Sequence, residues 1–99
     1  ERETTTETTA RMDFTHYEYR TEHILSRQCV EAAIGALSGE IYRVKGPVRF
    51  MKETLLLNYA GGLISWESWP RRDPTCIVFI GRFMDTAGVK RSLDACASD

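Results

Sequence analysis

The chain has 99 residues, 42% hydrophobic content and a formal net charge of -1. This length permits one compact domain with a single core. The balanced charge gives no general attraction to nucleic acid or to an anionic membrane. No apolar run approaches the roughly 20 residues of a membrane-spanning helix, and no apolar signal-peptide core is present at the start. We therefore expect a cytoplasmic protein with no membrane partner, and the start at Glu1 rather than Met fits a segment of a longer polypeptide.

Two regions differ in composition. Residues 1–11 consist almost entirely of Glu, Thr and Arg, and so polar a stretch cannot offset the entropy of ordering its backbone. We predict a disordered linker or tail there, followed by one domain over residues 12–99. The domain opens with a predicted strand over residues 12–20, because Phe14, Tyr17 and Tyr19 favour extended structure.

A helix and a second strand are predicted next. Thr21 is a candidate cap for the helix and Gly39 a candidate terminator. The helix is indicated by apolar side chains at helical spacing, which are Leu25, Cys29, Ala32, Ala33, Ala36 and Leu37. The period then changes to two, which predicts a strand over residues 42–50 that is bent or bulged at Gly46-Pro47. One face of this strand is assigned Tyr42, Val44, Val48 and Phe50, and the other Arg43, Lys45 and Arg49.

The second half of the domain is predicted to contain a hairpin, a buried strand and a last helix. Gly61-Gly62 separates two apolar runs and suits a two-residue turn. Residues 76–80 are apolar throughout, as in a central strand covered on both faces. Asp85 or Thr86 can cap the last helix, in which Val89, Leu93 and Cys96 share a face.

The order of these elements defines the fold class. Short connections between neighbouring strands favour antiparallel pairing. The order β-α-β-β-β-β-α therefore predicts an α+β two-layer sandwich with a mostly antiparallel sheet and helices packed on one face. Three widely spaced cysteines, Cys29, Cys76 and Cys96, form no C-x-x-C pair, so we expect reduced, buried thiols.

Motifs that identify common enzyme classes are missing from the sequence. Without a G-x-x-x-x-G-K-[ST] loop, the chain lacks the phosphate cradle of P-loop proteins and is not expected to hydrolyse GTP alone. It also has no G-x-S-x-G and no H-E-x-x-H motif. We predict that this chain is not an enzyme and carries no catalytic residue.

Two binding functions stay open as alternatives. Imidazole and carboxylate groups both suit zinc, so His16 and His23, with Glu18 and Glu22 nearby, are candidate ligands if the end of the first strand and the start of the helix converge. Direct zinc binding by this domain would use His16, His23 and Cys29. The second alternative is nucleic-acid binding by the arginines with Trp66 or Trp69 as stacking platforms. Tryptophans on a hairpin more often pack in a core or an interface, which disfavours the second alternative.

Three segments together resemble the CobW C-terminal domain family. They are IYRVKGPVRF, LLLNYAGGLISWESW and CIVFIGRFMDTAGVKRSLDACAS, in that order and spacing. The most specific parts are Arg43-x-Lys45-Gly46, the glycine pair of the hairpin, and the run over residues 78–82 followed by Asp85. Phe83 departs from the family pattern, in which an acidic residue often follows the arginine.

The resemblance implies a noncatalytic C-terminal domain of a CobW-type GTPase involved in metal delivery or metallocofactor insertion. The family's GTP site and cysteine-rich metal motif lie in its N-terminal domain, so no cofactor is expected in this chain. GTP and a divalent metal such as zinc, or otherwise cobalt or iron, are implied for the full-length parent. The implied partners are the GTPase domain of the same polypeptide and a metalloprotein client.

The residues expected to dock on the GTPase domain or on the client protein are polar. Gly46 permits a bend that lets Arg43 and Lys45 project together, and Gly81 releases Arg82 toward the surface near Asp85. We predict an interaction surface made of Arg43, Lys45, Arg49, Arg82 and Asp85.

Overall fold

A computed structural model describes residues 14–98, so the linker predicted over residues 1–11 lies outside the described residues. Five strands and two helices follow in the order β1 (Phe14–Thr21), α1 (Arg27–Gly35), β2 (Glu40–Arg49), β3 (Thr54–Ala60), β4 (Leu63–Ser68), β5 (Thr75–Arg82) and α2 (Thr86–Asp94). The predicted order β-α-β-β-β-β-α and α+β class are thereby confirmed. Neither helix of this described range has the length and apolar content to cross a membrane.

The strands form one antiparallel sheet in the order β1-β5-β2-β3-β4, with β2 in the middle. β5 is an interior strand, as its apolar sequence predicted, but the expectation that both its faces are covered is wrong. Cys76 and Val78 are only half-buried, and Ile80 remains 38% exposed. The outward apolar side chains of β5 thus belong to a sheet surface that the helices do not cover.

The core lies between the other sheet surface and the two helices. Alternation along the strands directs every second side chain into it, because successive strand residues point to opposite faces. The sheet contributes Tyr19, Val44, Val48, Leu57, Ile77 and Phe79, and the helices contribute Val30, Ile34, Val89 and Leu93.

The helix termini are set by side-chain caps. The Oγ of Ser26 accepts a hydrogen bond from the backbone N–H of Cys29 at 3.3 Å and begins α1. The prediction of Thr21 as this cap is wrong, because Leu25 between them is buried and pairs with Ala97 in an isolated bridge. For α2, Asp85 accepts from the N–H of Gly88 at 3.0 Å, which confirms the predicted cap.

A β-bulge lies at the start of β2 rather than at Gly46-Pro47. The pairing of β2 with β5 shifts register between Ile41 and Arg43. Gly46, with φ +151, is required for a different reason, because a side-chain carbon there would overlap the carbonyl oxygen of Cys76. The glycine therefore allows the backbones of β2 and β5 to approach closely at the centre of the sheet.

We predict that Gly46→Ala lowers the free energy of unfolding by about 3 kcal/mol, because the new methyl group has no space and the backbone is strained. Gly35→Ala is the matched control, since no atom lies within 4 Å of the added carbon in the helix. It should stabilise the chain by up to about 1 kcal/mol. Urea denaturation followed by circular dichroism measures both changes. Equal stabilities of the two variants would contradict the close approach at Gly46.

A disulfide joins Cys29 in α1 to Cys96 after α2, with their Cα atoms 5.4 Å apart. This distance lies within the range that disulfides require. The expectation of three reduced thiols is therefore wrong for this pair, and only Cys76 is free. The N–H of Ser26 donates to the carbonyl of Cys96 at 2.9 Å, so hydrogen bonding holds the same two segments together.

The disulfide closes a long loop, because its cysteines are 67 residues apart in sequence. We predict that Cys29→Ser lowers the free energy of unfolding by about 4 kcal/mol through the greater entropy of the unfolded chain. Urea denaturation with and without a thiol reductant provides the measurement, and Cys76→Ser is the control that should keep the oxidised stability. If the reductant leaves the free energy of unfolding of the wild-type chain unchanged, the stabilising role of the disulfide is contradicted.

Candidate interaction surface

The sheet surface opposite the helices, called here the open face, is the main unoccupied surface of the described domain. Strand register places one row of side chains across all five strands on this face. The row consists of Glu18, Val78, Lys45, Asn58 and Ser65. Charged, apolar and uncharged polar groups are therefore mixed across a surface that no other described element covers.

Two cations occupy the middle of the open face. Arg43 and Lys45 project from β2, and both side chains are exposed. Neither side chain has a hydrogen-bond or ion-pair partner within residues 14–98. Their β5 neighbours in register are Ile80 and Val78, so each cation stands beside an apolar group. Such a centre suits a partner that supplies carboxylates and an apolar surface.

A cluster at one end of the open face, called here the aromatic corner, consists of Tyr42, Arg82 and Phe83. The bulge in β2 directs Tyr42 outward, where its hydroxyl donates to Glu40 at 2.7 Å. This bond raises the pKa of Tyr42. Arg82 lies 3.8 Å from the same carboxylate, and its guanidinium carbon is 5.0 Å from the ring centroid of Phe83.

The aromatic part of this corner does not follow from the sequence pattern. A regular period of two assigns Tyr42 to the core face of its strand, but the side chain is 44% exposed. The bulge reverses that assignment by adding one residue to β2. Phe83 is 67% exposed and has φ +58. Its only sequence signal is its departure from the family pattern after the arginine.

At the other side of the open face, the thiol of Cys76 donates to Glu18 at 3.2 Å. This hydrogen bond, with help from Arg20, lowers the pKa of Glu18. Burial, followed by the bond to Glu18, raises the pKa of Cys76. The thiol is therefore kept protonated at neutral pH and is a poor nucleophile.

We predict that alkylation of Cys76 by iodoacetamide reaches half its maximal rate at a higher pH than for a free cysteine, because its pKa is raised. The other two cysteines are oxidised, so mass spectrometry of the oxidised chain reports this thiol alone. Glu18→Gln should shift the profile toward lower pH, since a carboxylate no longer opposes the thiolate. If Cys76 reaches its half-maximal alkylation rate at or below the pH found for free cysteine, the raised pKa of Cys76 is refuted.

Two residues of the predicted docking surface lie elsewhere. Arg49 is at the opposite end of β2, where its guanidinium donates to the carbonyl of Arg72. Asp85 caps α2 and lies 3.9 Å from Arg91. The structure thus places Arg43, Lys45 and Arg82 toward one part of the open face and separates Arg49 and Asp85 from them.

The three candidate zinc ligands occupy separate environments. His16 projects from β1 and stands opposite Ile80 in register, whereas His23 follows the end of β1. Cys29 is bonded to Cys96 and offers no free thiolate. Over residues 14–98, no three His, Cys, Asp or Glu side chains form a group that could hold a metal ion. The donor set of the described domain therefore does not fit zinc.

Both tryptophans are committed to contacts within the domain. Trp66 packs edge-on against Phe50 with ring centroids 5.3 Å apart, and its indole N–H donates to Glu31 at 2.7 Å. The indole N–H of Trp69 donates to Asp73 at 2.8 Å. Each ring is half-buried, so neither forms the open stacking platform of the nucleic-acid alternative.

The concave parts of the described surface bring together few reactive groups. A cavity of about 210 Å³ between the helices is lined by small and polar residues together with the apolar side chains of Leu37 and Val89. Its charged residues are Asp85 and Arg91, which form an ion pair at 3.9 Å, and Asp85 is already engaged as the cap of α2. This arrangement offers no nucleophile with an adjacent base.

Fold and surface together define a small two-layer α+β domain whose sheet is covered on one side. Residues 14–97 match the model of the cobalamin synthesis protein cobW C-terminal domain, so the chain belongs to that family. No curated protein is a significant match in sequence.

Two solved structures share the fold. The Zn(II)-bound YjiA GTPase from E. coli matches with a TM-score of 0.70 and 14% identity, over 92% of this chain and 32% of that chain. A Zn(II)-bound triple mutant of YjiA GTPase matches with a TM-score of 0.69 and 15% identity, over 87% of this chain and 30% of that one. The chain thus spans about a third of the YjiA chains that it matches.

Proposed function

We propose that this chain is the noncatalytic C-terminal domain of a CobW-type GTPase acting in metal delivery or metallocofactor insertion. Its role there is to dock through the open face on the GTPase domain of the same polypeptide, and so to influence contact with a metalloprotein client. The observation that carries this proposal is a pair of exposed cations, Arg43 and Lys45, at the centre of the open face, neither of which has a partner within residues 14–98.

Charge placement supports docking over a purely structural role. Lysines and arginines also protect sheet edges from aggregation, but that purpose applies to edge strands. Arg43 and Lys45 lie on β2, the middle strand, and point out of the sheet plane rather than along an edge. Cations in this position orient a partner that presents carboxylates and favour its association rate.

The structural matches support the parent protein that we propose. The matched YjiA structures are described as Zn(II)-bound GTPases of about three times this chain's length. This sequence has no P-loop, and its described donor groups do not fit zinc. We therefore assign GTP and the metal to the part of the parent outside this chain, and no catalytic step to the residues here.

Docking transmits a nucleotide state only if the two states of the GTPase domain bind the open face with different affinities. The proposal therefore requires the GTP and GDP forms to present different carboxylate or apolar groups to Arg43 and Lys45. Nucleic acid is the less favoured partner, because both tryptophan rings are engaged and the chain has a formal net charge of -1.

The proposal is tested by calorimetric titration of this chain with a purified CobW-type GTPase domain loaded with GTP or GDP. We predict binding that depends on the nucleotide, and a roughly tenfold or greater loss of affinity for Arg43→Glu combined with Lys45→Glu, because the reversed charges repel the partner's carboxylates.

Lys52→Glu is the control for charge reversal outside the open-face centre, since Lys52 is exposed between β2 and β3 at the far end of the sheet. It should bind like the wild-type chain. Equal affinities for the double variant and the wild-type chain would reject the open face as the docking surface. Absence of wild-type binding in both nucleotide states would reject docking on the GTPase domain itself.

A further inference from the structure

Exposed apolar side chains are concentrated at one end of the open face. The five large apolar residues that are exposed among residues 14–98 are Tyr42, Met51, Leu63, Ile80 and Phe83. Tyr42 and Phe83 belong to the aromatic corner. Ile80 is paired with Arg43, the residue after Tyr42, and therefore adjoins the corner. Tyrosine and arginine are also the residue types that most often dominate protein–protein binding energy.

The aromatic corner is held in place before any partner arrives. Glu40 connects Tyr42 to Arg82, and Arg82 stacks on the ring of Phe83. The carbonyl groups of Arg82 and Phe83 lie so close to Gly39 that a side-chain carbon at Gly39 would overlap them. Side chains fixed in this way lose little conformational entropy when they bind.

The conformation of Phe83 is unfavourable for the isolated domain. A residue other than glycine with φ +58 carries a conformational cost. The ring is nevertheless 67% exposed, so little hydrophobic stabilisation compensates for this cost within the domain. Burial by a partner would provide that stabilisation, which makes the corner a place where binding energy can concentrate.

Charge limits the kind of partner. Arg82 is near Glu40, but the adjacent Arg43 has no partner in the described domain. In a second copy of this chain, the open-face carboxylates of Glu18 and Glu40 are already paired with Arg20 and Arg82, so they are not available to a cation that lacks a partner within residues 14–98. Nucleic acid would meet the carboxylates of Glu18 and Glu40 near its phosphates. An apolar side chain flanked by carboxylates, on a protein surface, fits both the rings and the cations.

We propose that the aromatic corner is the main binding determinant of the open face and receives an apolar side chain flanked by carboxylates from the GTPase domain. This inference rests on the proposed function, and it names the chemistry that the GTPase domain must present.

The inference is tested with Phe83→Asn and Tyr42→Ala in the same calorimetric titration against the CobW-type GTPase domain. Asparagine tolerates positive φ, so the first variant removes the ring without adding backbone strain. Each variant should weaken binding at least tenfold. Met51→Ala is the matched control, because Met51 is 68% exposed but lies in the turn between β2 and β3, and its affinity should equal that of the wild type.

The outcomes separate the two proposals. If the wild-type chain binds and both corner variants bind equally well, the aromatic corner is rejected while docking by the open face stands. If the wild-type chain binds neither the GTP-loaded nor the GDP-loaded GTPase domain, both proposals fail. A parallel titration with a single-stranded oligonucleotide distinguishes the partner class. If the wild-type chain binds the oligonucleotide and the Phe83→Asn variant does not, the inference of a protein partner for the aromatic corner is overturned. Circular dichroism of each variant verifies that the fold is retained.

Discussion

The pairing of β2 with β5 is the constraint on which the rest of the molecule depends. The two strands occupy the middle of the sheet, and Gly46 lets their backbones approach where any side chain would collide with β5. Their register directs Val44 and Phe79 toward the helices and Lys45 and Val78 away from them. Because strand side chains alternate, this single register decides which residues form the core and which form the open face.

The bulge at the start of β2 changes this alternation between core and open face at one end of the strand. It turns Tyr42 to the outer surface, beside Arg82 and Phe83, while Val44 keeps its place in the core. Stabilising contacts and exposed side chains are thereby separated between the two surfaces of the sheet. Core packing and the disulfide stabilise the helical side, whereas the opposite side keeps exposed rings and cations that contribute little to the stability of the isolated domain.

Much of the fold follows from local signals in the sequence. The Gly61-Gly62 turn, the Asp85 cap and the element order were predictable because each depends on a few neighbouring residues. Pairings distant in sequence were not. The Cys29–Cys96 bond joins residues that only the folded sheet and helices bring together, and Ser26 replaces Thr21 as a cap because Leu25 is held by Ala97. Among the predicted docking residues, Arg43 and Lys45 share the open face, as a strand period of two requires. Asp85 lies beyond the end of β5, where the strand period gives no information about the direction of a side chain.

The disulfide also divides the chain in its response to mechanical load. It closes a covalent ring from Cys29 to Cys96 that contains β2, β3, β4, β5 and α2. β1 precedes the ring and lies at an edge of the sheet, held by β5 on one side. A tension applied through the residues before β1 would peel that strand away first, while the ring stays closed. Within a larger polypeptide, β1 would then be the first element of the domain to unfold under tension.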